Sequence, residues 1–502
     1  MGRLQHLPLI VLFMGIGAVA MLVPAVHALV QGEERVARTF LFGAAGFLTI
    51  SAMIGISTRG HRIANPARSQ LASLVGAYLV LPIMLAIPFQ QAVRDTTFFN
   101  AWFEMVSCLT TTGATVYDTP ERLVPSLHLW RALVGWLGGL LVLVGAAAIL
   151  APMDLGGAEV ISGRVPGRGQ GGTGTLRIDP GARLVRHALT LLPAYAGLTL
   201  VLWIALRMSG TEAFLAFCLA LSTLSSSGIT PGVGLPGAGG GIFGEMLIFA
   251  FLAIGLSRRF LPGAVLVDRT RPLLRDHEIQ TAIVILVVVP AVLFAVHWLS
   301  DAPEGAQTLP AMLRALWGAL FMTLSFLTTA GLESAEWTTT RLWAGLGNPG
   351  LVLVGLAIIG GGIATSTGGL KLLRVFALVA HGRGELHRII HPSAIHGGGE
   401  NDRRLREEGA FAAWVFFMLY GLTLAVTMGL LTMTGLGFDR AMVLSVASIS
   451  TTGPLATLAA DVPIRYADLS VTVKSVLAAA MVMGRMEVLA ILALLAPSAW
   501  RR

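Results

Sequence analysis

Four times along the chain a run of hydroxyl-bearing residues ends in a glycine at the close of a short amphipathic stretch, flanked by long apolar segments. The runs are Thr110-Thr111-Thr112-Gly113-Ala114-Thr115, Ser225-Ser226-Ser227-Gly228-Ile229-Thr230, Thr328-Thr329-Ala330-Gly331-Leu332 and Ser450-Thr451-Thr452-Gly453-Pro454. Their glycines stand 115, 103 and 122 positions apart, about one membrane hairpin plus a connecting loop, so an internal repeat is present. The simplest fold for such a repeat is one pore built from four copies of one unit.

Composition decides the solvent. The chain is 55% hydrophobic and 12% charged with a mean hydropathy of +0.76, against roughly 25% charged residues in an ordinary soluble domain. Leu127–Leu150, Ile279–Leu299, Ala410–Leu431 and Val471–Leu495 reach or exceed the ~20 residues an α-helix needs to cross the hydrocarbon core. The first apolar stretch, Leu7–Val30, is longer than a ~7–15-residue signal core and lacks a small-residue cleavage site, so it reads as a retained span. Cys108 and Cys218, the only cysteines, exclude a disulfide framework and a thiolate metal site.

The spacing predicts an all-α membrane protein of ten crossings: a leading helix pair (1–68), then four units of helix, re-entrant segment and helix at 69–160, 161–275, 276–405 and 406–502. The net charge of +8 is spread over loops and not along one amphipathic face, which argues for membrane topology and against nucleic acid. The positive-inside bias assigns the loops carrying Arg62 and Arg68, Arg164 to Arg186, Arg258 to Arg275 and Lys371 to Arg406 to the cytoplasm. The glycine runs then open outward. There Asp95, Asp118, Glu121, Asp301, Glu304, Glu336, Asp461 and Asp468 gather, an acidic vestibule that concentrates cations.

A dehydrated monovalent cation needs several oxygens in place of water, and rings of backbone carbonyls supply them. Glycine permits the backbone conformations that aim carbonyls inward. Gly113, Gly228, Gly331 and Gly453 are the leading candidate ligands, with Thr111 and Thr112, Ser226 and Ser227, Thr329 and Ala330, and Thr451 and Thr452 before them. Phe99–Leu109, Glu212–Leu224, Leu313–Leu327 and Asp439–Ile449 are too short to span, so each reads as a pore half-helix with its C-terminal dipole toward the ion. Small residues that merely pack helices account for one such run, not for four in matching places.

Unit three carries a second feature where its closing helix crosses mid-membrane: Gly360-Gly361-Gly362-Ile363-Ala364-Thr365-Ser366-Thr367-Gly368-Gly369-Leu370-Lys371. Each glycine disfavours helix by about 1 kcal/mol against alanine. The segment is therefore expected to unwind into a movable plug beneath the filter. Arg485, eleven residues beyond Lys474 in the last helix, is about 16 Å deeper. At that depth it must face a cavity or partner, either repelling the ion below the filter or binding the loop carbonyls. Glu487 lies on a different helical face and is not its intrahelical partner.

Other motifs are weaker. The tract Gly163–Gly174 lacks the strand and helix of a nucleotide cradle and reads as a linker. His387 and His391 have zinc-compatible spacing without a third ligand, which favours a structural elbow. Gly-x-Ser-x-Gly, His-Glu-x-x-His and paired deep carboxylates are all missing from the sequence, which argues against an enzyme.

Together these features resemble the Trk/Ktr/HKT potassium transporter superfamily, in particular its TrkH-type membrane subunits. The likeness covers nearly the whole chain. It runs through Phe103-Glu104, Thr110–Thr115, Gly135-Trp136-Leu137-Gly138-Gly139, Thr365–Lys371, Glu385–Ile395 and Met483-Gly484-Arg485-Met486-Glu487. The resemblance implies potassium uptake across the bacterial inner membrane, filter glycines at the four positions above, a gating loop at Gly360–Gly369 and a pore-facing Arg485. It also implies a homodimer and a cytoplasmic ring of TrkA-like nucleotide-binding regulatory subunits, with K+ as the transported ion and no organic cofactor in this chain. A sodium or less selective monovalent-cation transporter of the same fold is the alternative. Departures from the family pattern are Ser227 where glycine is frequent, Ala330 where threonine is usual, and one glycine fewer in the loop.

Overall fold

The computed structural model describes residues 8–58, 66–153, 155–157, 160, 180–232, 234–261, 272–296, 309–344, 350–391, 400–460 and 462–495. The tract 163–174 and Asp301, Glu304 and Asp461 lie outside them. Every regular element among the described residues is helical. A leading pair, Leu9–Val30 with a brief break at Met21 and then Glu34–Ser57, packs on the outer helix of unit one, Pro66–Val93. Outer helices of the other units are Pro180–Met208, His277–Val296 and Glu400–Met433.

The half-helices are Phe98–Leu109, Ala213–Ser225, Leu309–Leu327 and Phe438–Ile449. Thr97 caps the first of them by accepting the Asn100 N–H at 3.2 Å, which satisfies one otherwise unpaired donor where the chain turns inward. The third is longer than the sequence predicts. Its 19 residues, apolar apart from Arg314, Thr323 and Ser325, put it among the eight helices of the described residues with the length and composition to cross a membrane.

That count differs from ten crossings because it takes in Leu309–Leu327 and leaves out the inner helices of units two, three and four, which are short or broken, while the unit-one inner helix, Pro125–Met153, is counted despite an irregular end. In unit one Pro125–Gly145 passes into a π-helical turn, Ala146–Leu150, and a 3-10 turn. In unit two Gly241–Leu252 ends in a 3-10 turn, Ala253–Leu256. Unit three breaks after Gly350–Ile359 and resumes at Leu372–Ile390, while Val471–Met486 in unit four stops at Glu487, whose φ is +57°. The sequence predicts an unwound middle only in unit three. In units one and four the broken stretches contain good helix formers, so packing overrides propensity there.

Cyclic order follows from which helices touch. The inner helix of each unit packs on the half-helix of the next: one on two, two on three, three on four, and four back on one. The four units therefore form a closed pseudo-fourfold ring with the half-helix ends at its centre.

Candidate ion-conduction site

Each half-helix ends in the same way. Thr111 N–H donates to the Cys108 carbonyl and Thr112 N–H to the Ser107 carbonyl, at 2.9 and 2.8 Å. Equivalent pairs join Ser226 to Thr223 and Ser227 to Ser222, Thr329 to Phe326 and Ala330 to Ser325, and Thr451 to Ser448 and Thr452 to Ala447. This nested pair of bonds is a Schellman termination, whose left-handed residue is ordinarily glycine. Here Thr111, Ser226, Thr329 and Thr451 occupy it at φ of +51 to +56°. A side chain in that region costs roughly 1–2 kcal/mol, so four repeats of the same strain mark a conformation that the surrounding packing enforces.

Past these turns the four loops meet. A Cβ on Gly113 would overlap the Ser227 carbonyl oxygen, and one on Gly228 would overlap that of Ala330. A Cβ on Gly331 would press on the Pro454 ring at 3.1 Å, and one on Gly453 would overlap Ala114 N. Loop one thus abuts two, two abuts three, three abuts four and four abuts one. Three of the glycines have φ between +63 and +74°, while Gly453 does not take a positive φ and is followed by Pro454. Unit four departs further, since Tyr466 donates its hydroxyl to the Gly453 carbonyl at 3.0 Å.

The hydroxyls hold the loops to their own helices. Thr110 Oγ1 and Thr112 Oγ1 are 2.8 Å apart, Ser225 Oγ and Ser227 Oγ 2.9 Å, and Ser450 Oγ and Thr452 Oγ1 3.1 Å. Unit three lacks this link because Ala330 has no hydroxyl to offer. Buried carboxylates brace the loops from outside the ring. Glu104 accepts the Val116 N–H at 3.0 Å and pairs with Arg131 at 2.7 Å. Glu245 accepts Trp317 Nε1, Ser334 Oγ and Ala335 N–H at 2.6 to 2.9 Å. Sequence reasoning did not assign a role to Glu245. Its signal was an ionisable residue inside the apolar helix Gly241–Leu252.

Residues 360–371 form a compact excursion from the third inner helix. Its ends are joined by Leu370 N–H to Ile358 O and Lys371 N–H to Ile359 O, both 2.9 Å. The excursion lies against loops two, three and four. Ser366 Oγ is 3.0 Å from Ser226 Oγ, Gly368 N–H donates to Thr329 Oγ1 at 2.8 Å, and a Cβ on Gly368 would overlap the Ser450 carbonyl. A cavity of about 10 Å³ between Ser226, Ser366, Thr365 and Tyr195 has room for no more than one water. Lys371 Nζ donates to the Thr367 carbonyl within the excursion.

Of the two roles open for Arg485, contact with the loop is the one the geometry contains: Nη1 donates to the Ser366 carbonyl at 2.6 Å. Glu487, released from helical register by its positive φ, instead pairs with Arg374 at 2.7 Å, and the Arg374 guanidinium also lies 3.6 Å over the Phe416 ring. All 22 candidate positions thus fall in or beside two contacting structures: the four loops, and the excursion with Lys371 and Arg485 bonded to it.

The family model of TrkH, a cation transport protein, matches residues 39–231 and 272–501. The chain belongs to the TrkH cation transport family. Similar proteins of the family include the Trk system potassium uptake protein TrkH of Salmonella typhimurium, 29% identical over 98% of this chain and 97% of that protein. The Escherichia coli protein of the same name is 28% identical over the same shares. Among solved structures, the potassium transporter TrkH from Vibrio parahaemolyticus matches with a TM-score of 0.80 at 26% identity, covering 100% of both chains. Family and apolar helices together make this a multi-pass membrane protein of a transport family.

Proposed function

We propose that this TrkH-family chain takes up potassium across the bacterial inner membrane through the ring of four glycine loops. In this reading the backbone carbonyls of Thr111–Gly113, Ser226–Gly228, Thr329–Gly331 and Thr451–Gly453 replace the ion's water, and the four half-helix dipoles add negative potential at the same place. Residues 360–371, bonded to Arg485, are the gate beneath. A homodimer regulated by TrkA-like nucleotide-binding subunits on the cytoplasmic loops completes the assembly.

The observation that carries the reading is the closure of the ring: a methyl group on Gly113, Gly228 or Gly453 would overlap backbone of the next loop, and one on Gly331 would press on Pro454. Growth of a potassium-uptake-deficient bacterium on low potassium should be restored by the chain. Gly113→Ser should abolish preference for potassium over sodium in flux assays, because its Cβ meets the Ser227 carbonyl. Retained selectivity would count against Gly113 as a ligand, and failed rescue by well-inserted protein against potassium uptake.

A further inference from the structure

Glu278 lies in the first turn of the third outer helix, on the side that the charge bias assigns to the cytoplasm, and is 1% exposed. A glutamate at such a place ordinarily faces solvent, where it complements the helix dipole. Instead its two oxygens serve two separate segments. Oε1 accepts the Ile363 N–H at 2.8 Å. Oε2 accepts the Ser257 hydroxyl at 3.2 Å and lies 3.9 Å from Arg258 Nη1. A buried carboxylate is tolerable only with such partners, and one of them is the backbone of the intramembrane excursion.

Ile363 is fixed on its other side as well. Its side chain joins Val160, Leu373, Ala377 and Ala413 in a small apolar cluster apart from the main core. Gly157 makes room for it, since a Cβ there would overlap the isoleucine. The preceding N–H, of Gly362, donates to the Gly255 carbonyl at 3.0 Å. Two successive peptides of the excursion are therefore held by the segment 255–258, one directly and one through Glu278. That segment continues into the basic turn Arg258–Phe260, where Arg259 reaches Asp276 at 3.5 Å.

We propose that Glu278 is a positioning residue for transport: it holds the lower limb of the intramembrane loop in its closed place and links that limb to the Ser257–Phe260 turn, so that displacement of the turn releases the loop. The proposal rests on the reading of residues 360–371 as a gate. A role confined to folding would lower flux and stability together. A role in positioning raises flux without touching the filter.

The test is rubidium flux into vesicles containing the full-length protein. Glu278→Ala should raise maximal flux about tenfold, the change in open-to-closed ratio expected when one charge-assisted hydrogen bond is withdrawn from the closed state. The half-saturating rubidium concentration and the potassium-to-sodium preference should stay as in the parent. Glu278→Gln, which keeps an acceptor of equal reach for Ile363, should rise less. Arg485→Ala, which removes the Ser366 contact, serves as the control on the gate itself. If Arg485→Ala raises flux and Glu278→Ala does not, the positioning role is overturned and the gate stands. If neither raises flux, both are overturned. Should Glu278→Ala fail to give monodisperse protein, Glu278→Gln and Ser257→Ala carry the test, and parent-level flux in both would overturn the proposal.

Discussion

Gly453 donates its backbone N–H to the Thr112 carbonyl at 2.6 Å, so the last loop of the ring is hydrogen-bonded directly to the first. The bond joins residues 341 positions apart. It closes a circle that sequence order alone leaves open.

Replacing Gly453 by alanine should break that closure. The new methyl would overlap Ala114 N and lie 2.7 Å from the Gly113 carbonyl carbon, and backbone atoms cannot swing away as a side chain can. Overpacking of this kind costs about 1–3 kcal/mol. Rubidium flux should fall about tenfold or more in protein that still inserts and runs as a single species; parent-level flux would show that the loops do not pack this tightly.

Arg374 and Glu487 form a buried pair, 1% and 12% exposed. Arg374→Ala would strand the carboxylate, a loss of about 3–5 kcal/mol for breaking one half of such a pair. The double variant Arg374→Leu with Glu487→Leu should recover much of that loss. Unfolding of the purified variants in detergent reads both, and equal stability of single variant and parent would refute the pairing.

Removal of the Glu245 carboxylate leaves Trp317 Nε1, Ser334 Oγ and Ala335 N–H without their shared acceptor. Each stranded donor costs about 1–3 kcal/mol before relaxation. Glu245→Ala should therefore lower stability and loosen the stretch after Gly331, seen as faster amide exchange at Ser334 and Ala335. Unaltered exchange there would mean that the carboxylate does not brace the loop.

External pH should act through two carboxylates that follow Gly113 and Gly331. Burial lifts the carboxyls of Asp118 and Glu333 above the ordinary range, with Asp468 adding to the rise at Asp118; Arg465 and Lys474 oppose it there, as Arg341 does at Glu333. Raised values mean that protonation sets in at a higher pH than for free carboxylates, so negative charge at the mouth is lost early on acidification. Flux at low ionic strength should decline as external pH falls into the range just above the ordinary carboxylate value, and Asp118→Asn with Glu333→Gln should flatten the decline. An identical pH profile in that double variant would exclude these groups as its source.

Much of this arrangement was legible in the residues. The runs ending at Gly113, Gly228, Gly331 and Gly453 gave the repeat and the half-helices, and five glycines between Gly360 and Gly369 gave the excursion, because such turns have few alternatives to glycine. Arg485 announced itself by depth. Binding to the loop carbonyls was one of its two expected roles, but which carbonyl was not readable, since the Ser366 carbonyl is backbone and leaves no mark in side-chain identity. The Arg374–Glu487 and Glu278–Ile363 contacts were equally hidden: they depend on the breaks at Gly360 and Glu487, which swing helix ends out of register and so defeat any argument from helical spacing. Ala146–Leu150 shows the same limit, a π-turn written in residues that favour ordinary helix.

The ring is built from one polypeptide and not from four identical subunits. A substitution therefore alters a single quadrant while three stay as they were, so the quadrants are free to diverge. Ala330 without its hydroxyl, Gly453 bonded to Tyr466 and an excursion carried by one inner helix alone are that divergence in atomic form. Loss of fourfold identity is what lets a rotationally arranged ring carry a single excursion against three of its four loops.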